Sequence, residues 1–142
     1  MFYVGIIIML IIINVIVIGM GNVALFVSPG AAIITYGIPL CLIFATYSFN
    51  GIKLLFRLFF TLNAEQSALN LGLRVYKDTK LYLVVAGWVG FIIGTVLTLA
   101  TIDNPEALGP SAATTLLSVF YGYVIAYFFC HPVIRRIERK LR

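Results

Sequence analysis

The sequence predicts an all-α integral membrane protein of four transmembrane helices in two hairpins, with both termini on the cytoplasmic side. Three observations carry that prediction. Of 142 residues, 62% are hydrophobic and 11% charged, whereas soluble domains carry about 45–50% apolar and about 25% charged residues. Mean hydropathy is +1.08. The charges are also segregated: no Asp, Glu, Lys or Arg precedes Lys53, none lies between Lys80 and Asp103, and none lies between Glu106 and Arg135. A water-soluble enzyme is not the expected reading on these grounds, and residues 1–142 read as a single membrane domain.

A helix needs about 20 apolar residues to cross the hydrocarbon core, so the uncharged stretch 1–52 holds two passes. Gly19, Gly21, Asn22, Ser28, Pro29 and Gly30 form a cluster of turn formers that separates a first span at about 2–19 from a second at about 31–48. Residues 81–100 and 112–130 supply the third and fourth spans. Asp103-Asn104-Pro105 divides them, because the residue before proline is pushed out of the helical region. A short cytoplasmic segment, 51–80, joins the hairpins, and a basic tail, 133–142, follows the fourth span. The apolar runs are continuous, without the period-two alternation of a membrane β-barrel. Met1-Phe2-Tyr3 lacks a basic n-region, so the first span is expected to remain in the mature protein rather than act as a signal peptide.

Orientation follows from the basic residues. Lys53, Arg57, Arg74, Lys77 and Lys80 lie between the second and third spans, and Arg135, Arg136, Arg139, Lys140 and Arg142 follow the fourth. All ten share one side, which the positive-inside rule assigns to the cytoplasm, leaving Asp103 and Glu106 outside. A basic rim facing anionic headgroups of the lipid bilayer accounts for the pI of 9.4. Nucleic acid is not an expected partner, since the basic residues are not interleaved with aromatics as a binding groove requires.

Within the spans the informative residues are small or hydroxylated. The third carries Gly87, Gly90 and Gly94 at helical spacing, continuing to Thr98 and Thr101. The fourth carries Ser111, Thr115, Ser118, Gly122 and Ala126. Small residues so spaced let helices approach closely, and one reading is packing within the hairpin or between copies through Gly87, Gly90, Gly94, Gly122 and Ala126. The other is an ion pathway lined by Thr95, Thr98, Thr115 and Ser118. Hydroxyls cannot by themselves run a proton-motive cycle, which needs an ionisable group in the membrane. The four spans contain none, and His131 sits beside Pro132 at a span end, so if the protein moves ions the titrating residue must come from another chain.

Other positions carry less. Cys41 and Cys130 are single thiols without disulfide or metal spacing, and no cofactor motif is present. Asn14 reads as interhelical glue. Tyr3, Tyr47, Tyr76, Tyr82 and Tyr127 lie where an interfacial aromatic belt falls, whereas Trp88, eight residues past Lys80, lies about 12 Å into the membrane. Residues 52–62 and the stripe Ile134, Ile137, Leu141 are expected on the membrane surface. No nucleophile with a base, paired carboxylates or phosphate loop supports catalysis.

Three stretches resemble one family in order and spacing. They are Gly94-Thr95-Val96-Leu97, then Asp103-Asn104-Pro105-Glu106-Ala107-Leu108-Gly109-Pro110, then Leu116-Leu117-Ser118-Val119-Phe120-Tyr121-Gly122 with Ala126 and Pro132. Together these resemble the last two spans of the MotA/TolQ/ExbB proton channel family, closest to a minimal MotA-like flagellar stator subunit. Phe26-Val27-Ser28-Pro29-Gly30-Ala31-Ala32-Ile33-Ile34 resembles the opening of the second span in MotA.

The resemblance implies a homopentameric ring around a MotB/TolR/ExbD-like single-span partner whose aspartate passes ions, in the bacterial inner membrane. Thr95 then matches a hydroxyl or small residue near the ion path, and Ser118 and Val119 match a pair that is often Thr-Thr. Three departures stand out. Val119 removes the second hydroxyl, which favours protons over sodium; Trp88 stands where MotA has a proline; and only residues 51–80 occupy the place of MotA's large cytoplasmic domain. The implied function is a ring subunit of an ion-driven stator-like motor or force transducer. A structural membrane scaffold of the same fold without transport is the alternative, and a stand-alone transporter lacks the broken helix and internal charge that a substrate site uses.

Overall fold

The computed structural model describes residues 28–60 and 65–142. The expected first span at 2–19, with Tyr3, Asn14 and the turn formers Gly19, Gly21 and Asn22, lies outside the described residues. All regular structure among those described is helical: α1 (Pro29–Phe60), α2 (Gln66–Ala100), α3 (Pro105–Val124), a π-helical segment (Ile125–Cys130) and α4 (His131–Leu141). Among the described residues three runs are long and apolar enough to cross a membrane: Pro29–Phe60, Gln66–Ala100 and Pro105–Leu141.

Ser28, read from sequence as a turn former, caps α1. Its hydroxyl accepts from Ala31 N at 3.4 Å and its carbonyl from Ala32 N at 3.0 Å, while Pro29 takes the first helical position, where no N–H is needed. The helix is interrupted at Ser48, whose φ of 55° and ψ of −168° are non-helical, a conformation close to one that glycine alone adopts readily. Beyond the kink, residues 49–60 continue as a second helical stretch toward the charged end of the molecule.

Helix α2 begins well before the apolar stretch 81–100. Its 35 residues make it about 50 Å long, against about 30 Å of hydrocarbon. The charged residues of segment 51–80 therefore ride largely on helix. At the opposite end, Asn104 N donates to Thr101 O at 3.0 Å and Ala107 N to Asn104 O at 3.1 Å. Pro105 then opens α3 with Glu106 in its first turn, where a carboxylate suits the helix dipole. The π-helical segment ends two residues before Pro132, which has no N–H to give the Phe128 carbonyl and crowds it; widening the turn just upstream accommodates this and keeps the run continuous into α4.

The densest apolar packing lies at the charged end. Leu58 of α1, Leu69, Tyr76 and Leu83 of α2, Ala126 and Cys130 of the π-helical segment, and Val133, Ile134 and Ile137 of α4 form one buried cluster. This corrects the expectations for the α4 stripe and for Tyr76. The α4 stripe does not lie on the membrane surface: Ile134 is 6% and Ile137 0% exposed, whereas in the 52–60 stretch Leu58 turns inward at 0% and Phe56 and Phe60 remain 67% and 69% exposed. An amphipathic stripe buries against the nearest dry face, here the Leu69–Tyr76–Leu83 face of α2, whose heptad spacing keeps those residues aligned. Tyr76 is likewise in the core rather than an interfacial belt. Its hydroxyl donates to Leu55 O at 2.6 Å, and burial pushes its ionisation well above the ordinary phenol range. Gly72 leaves room for the Leu58 side chain, which a Cβ there would strike. Trp88 faces outward, 48% exposed, with its ring edge-to-face on Phe91 at 5.6 Å.

Candidate functional site: the seam between α2 and α3

The four-residue turn brings α2 and α3 together antiparallel, and their register is set by small residues. Gly87 faces the Ser118 carbonyl and the Cα atoms of Val119 and Gly122; a Cβ there would lie 3.1 Å from the Ser118 oxygen. A Cβ on Gly90 would lie 2.9 Å from Ser118 Cβ, and one on Gly94 would run into Thr115. On the other side, Gly122 presses on the Leu83 carbonyl, 2.6 Å from the position a Cβ would take. Without a hydrophobic force between helices in lipid, this approach of backbones supplies van der Waals contact. Ala126 is fully buried too, but in the lower apolar cluster rather than in this glycine seam.

Each of the four hydroxyls expected on the path first satisfies its own helix. Thr95 donates to Phe91 O at 2.8 Å, Thr98 to Gly94 O at 2.8 Å, Thr115 to Ser111 O at 2.9 Å and Ser118 to Thr114 O at 3.2 Å. The donor is thereby used and the oxygen lone pairs remain, so the seam presents acceptors rather than donors. Thr98 and Thr115 meet across it, with hydroxyl oxygens 3.4 Å apart. Thr95, next to Gly94, stands about 100° round the helix from the seam, half-buried and apart from that pair. Among the described residues no buried side-chain nitrogen or oxygen lacks a partner, and no group of three His, Cys, Asp or Glu is placed to hold a metal.

Sequence reasoning missed the contribution of α1. Thr35, 0% exposed, donates from Oγ1 to Ser118 O at 3.2 Å, tying α1 to the seam at the level of Gly90. Nearer the helix start, Ser28 N donates to the Tyr121 hydroxyl at 3.1 Å and the Ser28 and Thr114 hydroxyls are 3.4 Å apart. Tyr36 stacks on Tyr121 at 6.0 Å. The signal was present as Ala31, Thr35 and Pro39, small or compact residues four apart on one face of the span, all three buried.

This architecture is that of a helical membrane protein whose adjacent spans meet along a glycine and hydroxyl seam. The chain is 36% identical over 52 residues to motility protein A of Cereibacter sphaeroides, covering 37% of this chain and 21% of that protein. It is 31% identical over 54 residues to the chemotaxis protein PomA of Vibrio alginolyticus, covering 38% and 21%. With the uncharacterised protein YtxD of Bacillus subtilis it shares 32% identity over 69 residues, covering 49% and 25%. No protein-family model matches. The chain spans about a quarter or less of the length of these relatives. These partial likenesses to motility proteins support a MotA-like family.

Proposed function

We propose that this chain is a ring-forming subunit of a stator-like motor or force transducer driven by an ion-motive force, with the proton as the ion. It works in the bacterial inner membrane as a pentamer, with four spans including one at 2–19, both termini cytoplasmic, and a single-span partner that brings the membrane aspartate. One observation carries the reading. The α2–α3 seam offers hydroxyl oxygens as acceptors, at Thr98 and Thr115 3.4 Å apart, on spans with no Asp, Glu, Lys, Arg or His between Lys80 and Asp103 or between Glu106 and His131. Such a lining suits a protonated carboxyl or a hydrated proton delivered from another chain. The partial likeness to motility protein A and PomA supports the same reading, and Thr95, Thr98, Thr115 and Ser118 are the proposed path residues.

A structural scaffold is the second reading. The close fit of Gly94 on Thr115 and the internal bonding of every seam hydroxyl favour it. Native mass spectrometry of the detergent-solubilised complex, expressed with its genomic neighbours, separates the two. Five copies holding a single-span protein with an intramembrane aspartate support the motor. A ring without that partner, or a monomer, leaves no titrating group and supports the scaffold.

A further inference from the structure

Where α2 meets α4, a second cluster of side chains surrounds a cleft of about 260 Å³ lined by Lys77, Lys80, His131, Ile134, Arg135 and Glu138. Lys77 Nζ is 3.0 Å from one Glu138 oxygen and an Arg135 guanidinium nitrogen is 3.6 Å from the other. Lys80 has no carboxylate in these contacts: its Nζ lies 3.4 Å from His131 Nδ1 and 4.2 Å above the Tyr127 ring. An imidazole and a π-face attract an ammonium without neutralising it. Three cations thus share one carboxylate, leaving the cleft with two positive charges in excess.

The cleft stands at the border of the apolar region on both helices. Lys80 is the last charge on α2, and His131 ends the uncharged run that begins after Glu106. On the apolar side of this border, Leu81 and Trp88 follow Lys77 on the same helical face, and both are exposed. On the neighbouring helix the Tyr123 ring stacks on Tyr127 at 5.7 Å, and Tyr127 meets His131 at 6.3 Å. A cationic pocket therefore opens beside an exposed strip of Leu81, Trp88, Tyr123 and Tyr127. Free phosphate has no use for such a strip. A second copy of this chain brings few anions to it: Asp78 accepts from Tyr47, Glu138 is already in the cluster, Asp103 and Glu106 lie at the opposite end of the spans, and Glu65, just before α2, is the one exposed carboxylate left on this side. We propose that this cleft is a headgroup site for an anionic phospholipid, its phosphodiester held by Lys77, Lys80 and Arg135 and its acyl chains on the aromatic strip. The inference rests on the membrane class of the protein and not on the motor reading.

The test is native mass spectrometry of the full chain, delipidated in detergent and titrated with phosphatidylglycerol, with phosphatidylcholine of the same acyl chains, or with sodium phosphate. Phosphatidylglycerol is expected to be retained in preference to phosphatidylcholine, and inorganic phosphate at equal concentration should not displace it. Lys80→Gln and Arg135→Gln should each weaken phosphatidylglycerol binding about fivefold, from about 1 kcal/mol per cation. Lys80→Arg should retain it. Lys53→Gln, the same charge change on α1 outside the cleft, should leave it unaltered. Arg135 is 67% exposed in its side chain, so its variant tests the site even if Lys80→Gln impairs folding. Equal losses for Lys53→Gln and the cleft variants would reduce the effect to diffuse surface charge and overturn the site. Equal retention of phosphatidylcholine, or full displacement by phosphate, overturns it as well. Retention in a chain that proves to move no ions leaves it standing.

Discussion

Thr35 Oγ1 lies 3.2 Å from the carbonyl oxygen of Ser118, joining α1 to α3 where Gly90 of α2 lets Ser118 approach. Three helices are fastened there by one hydroxyl and one glycine, deep among otherwise apolar side chains. Replacing the hydroxyl with a methyl, Thr35→Val, keeps the shape and removes the donor. The expected loss is about 0.6 kcal/mol, the usual worth of an interhelical hydrogen bond in a membrane, read as a lower thermal midpoint by circular dichroism in detergent. A loss of several kcal/mol would mean that the contact does more than bridge two helices.

Gly122 and Gly109 make a matched pair for the packing of α2 on α3. A Cβ at Gly122 meets the Leu83 carbonyl at 2.6 Å, whereas one at Gly109 meets nothing within 4 Å. Gly122→Ala is expected to cost about 1–3 kcal/mol, since a backbone oxygen cannot swing aside as a side chain can. Gly109→Ala meets only the ring of the following Pro110 in its own chain and is expected to cost less than Gly122→Ala. Equal midpoints for the two variants would contradict the close approach at Gly122.

Thr95 is the hydroxyl that stands off the seam, so its loss should spare assembly. Thr95→Val is expected to lower gradient-driven function about tenfold, the worth of one hydrogen bond to a charged group, with subunit stoichiometry unchanged. Unaltered function would remove Thr95 from the path and leave Thr98 and Thr115 as its lining.

Ser48 holds a backbone conformation that costs a residue with a Cβ about 1–3 kcal/mol. Ser48→Gly should relieve that strain and gain about 1 kcal/mol, part of the relief being offset by the greater freedom of glycine in the unfolded chain. Ser48→Val should lose stability. If glycine and valine behave alike, the kink is not held at this residue.

The Lys77 ammonium bonded to Glu138 holds that carboxyl below its ordinary range, with Arg135 and Arg142 adding to the effect. A carboxylate depressed by folding stabilises the fold above its unfolded value, about 4.3 for glutamate, and that contribution is lost as pH falls through the folded value. Protection of the α4 amides from hydrogen exchange, taken relative to their intrinsic rates at each pH, should therefore fall in that acidic window and not near neutrality. Glu138→Gln should remove the pH step. A step that persists in this variant would assign it to another group.

Much of the architecture is legible from charge placement. A charge costs so much in hydrocarbon that the intervals Lys80 to Asp103 and Glu106 to Arg135 mark apolar helices without reference to any contact, and Pro105 locates the turn between them through its own backbone. The glycine and hydroxyl stripes are equally visible, because helical spacing puts Gly87, Gly90 and Gly94 on one face. What a stripe meets is a different matter. In lipid both the solvent and a neighbouring helix are apolar, so periodicity cannot distinguish a face turned to the bilayer from one turned to protein. Packing decides it: Ile134 and Ile137 went to α2 instead of the membrane surface, Tyr76 to the core instead of the belt, and Trp88 to the outside. Thr35 reached Ser118 across 83 residues of chain through the assembly of three helices, and no local pattern encodes such a distance. Composition and charge specify which segments are helical and apolar; steric fit and hydrogen bonding among the folded helices specify which faces they share.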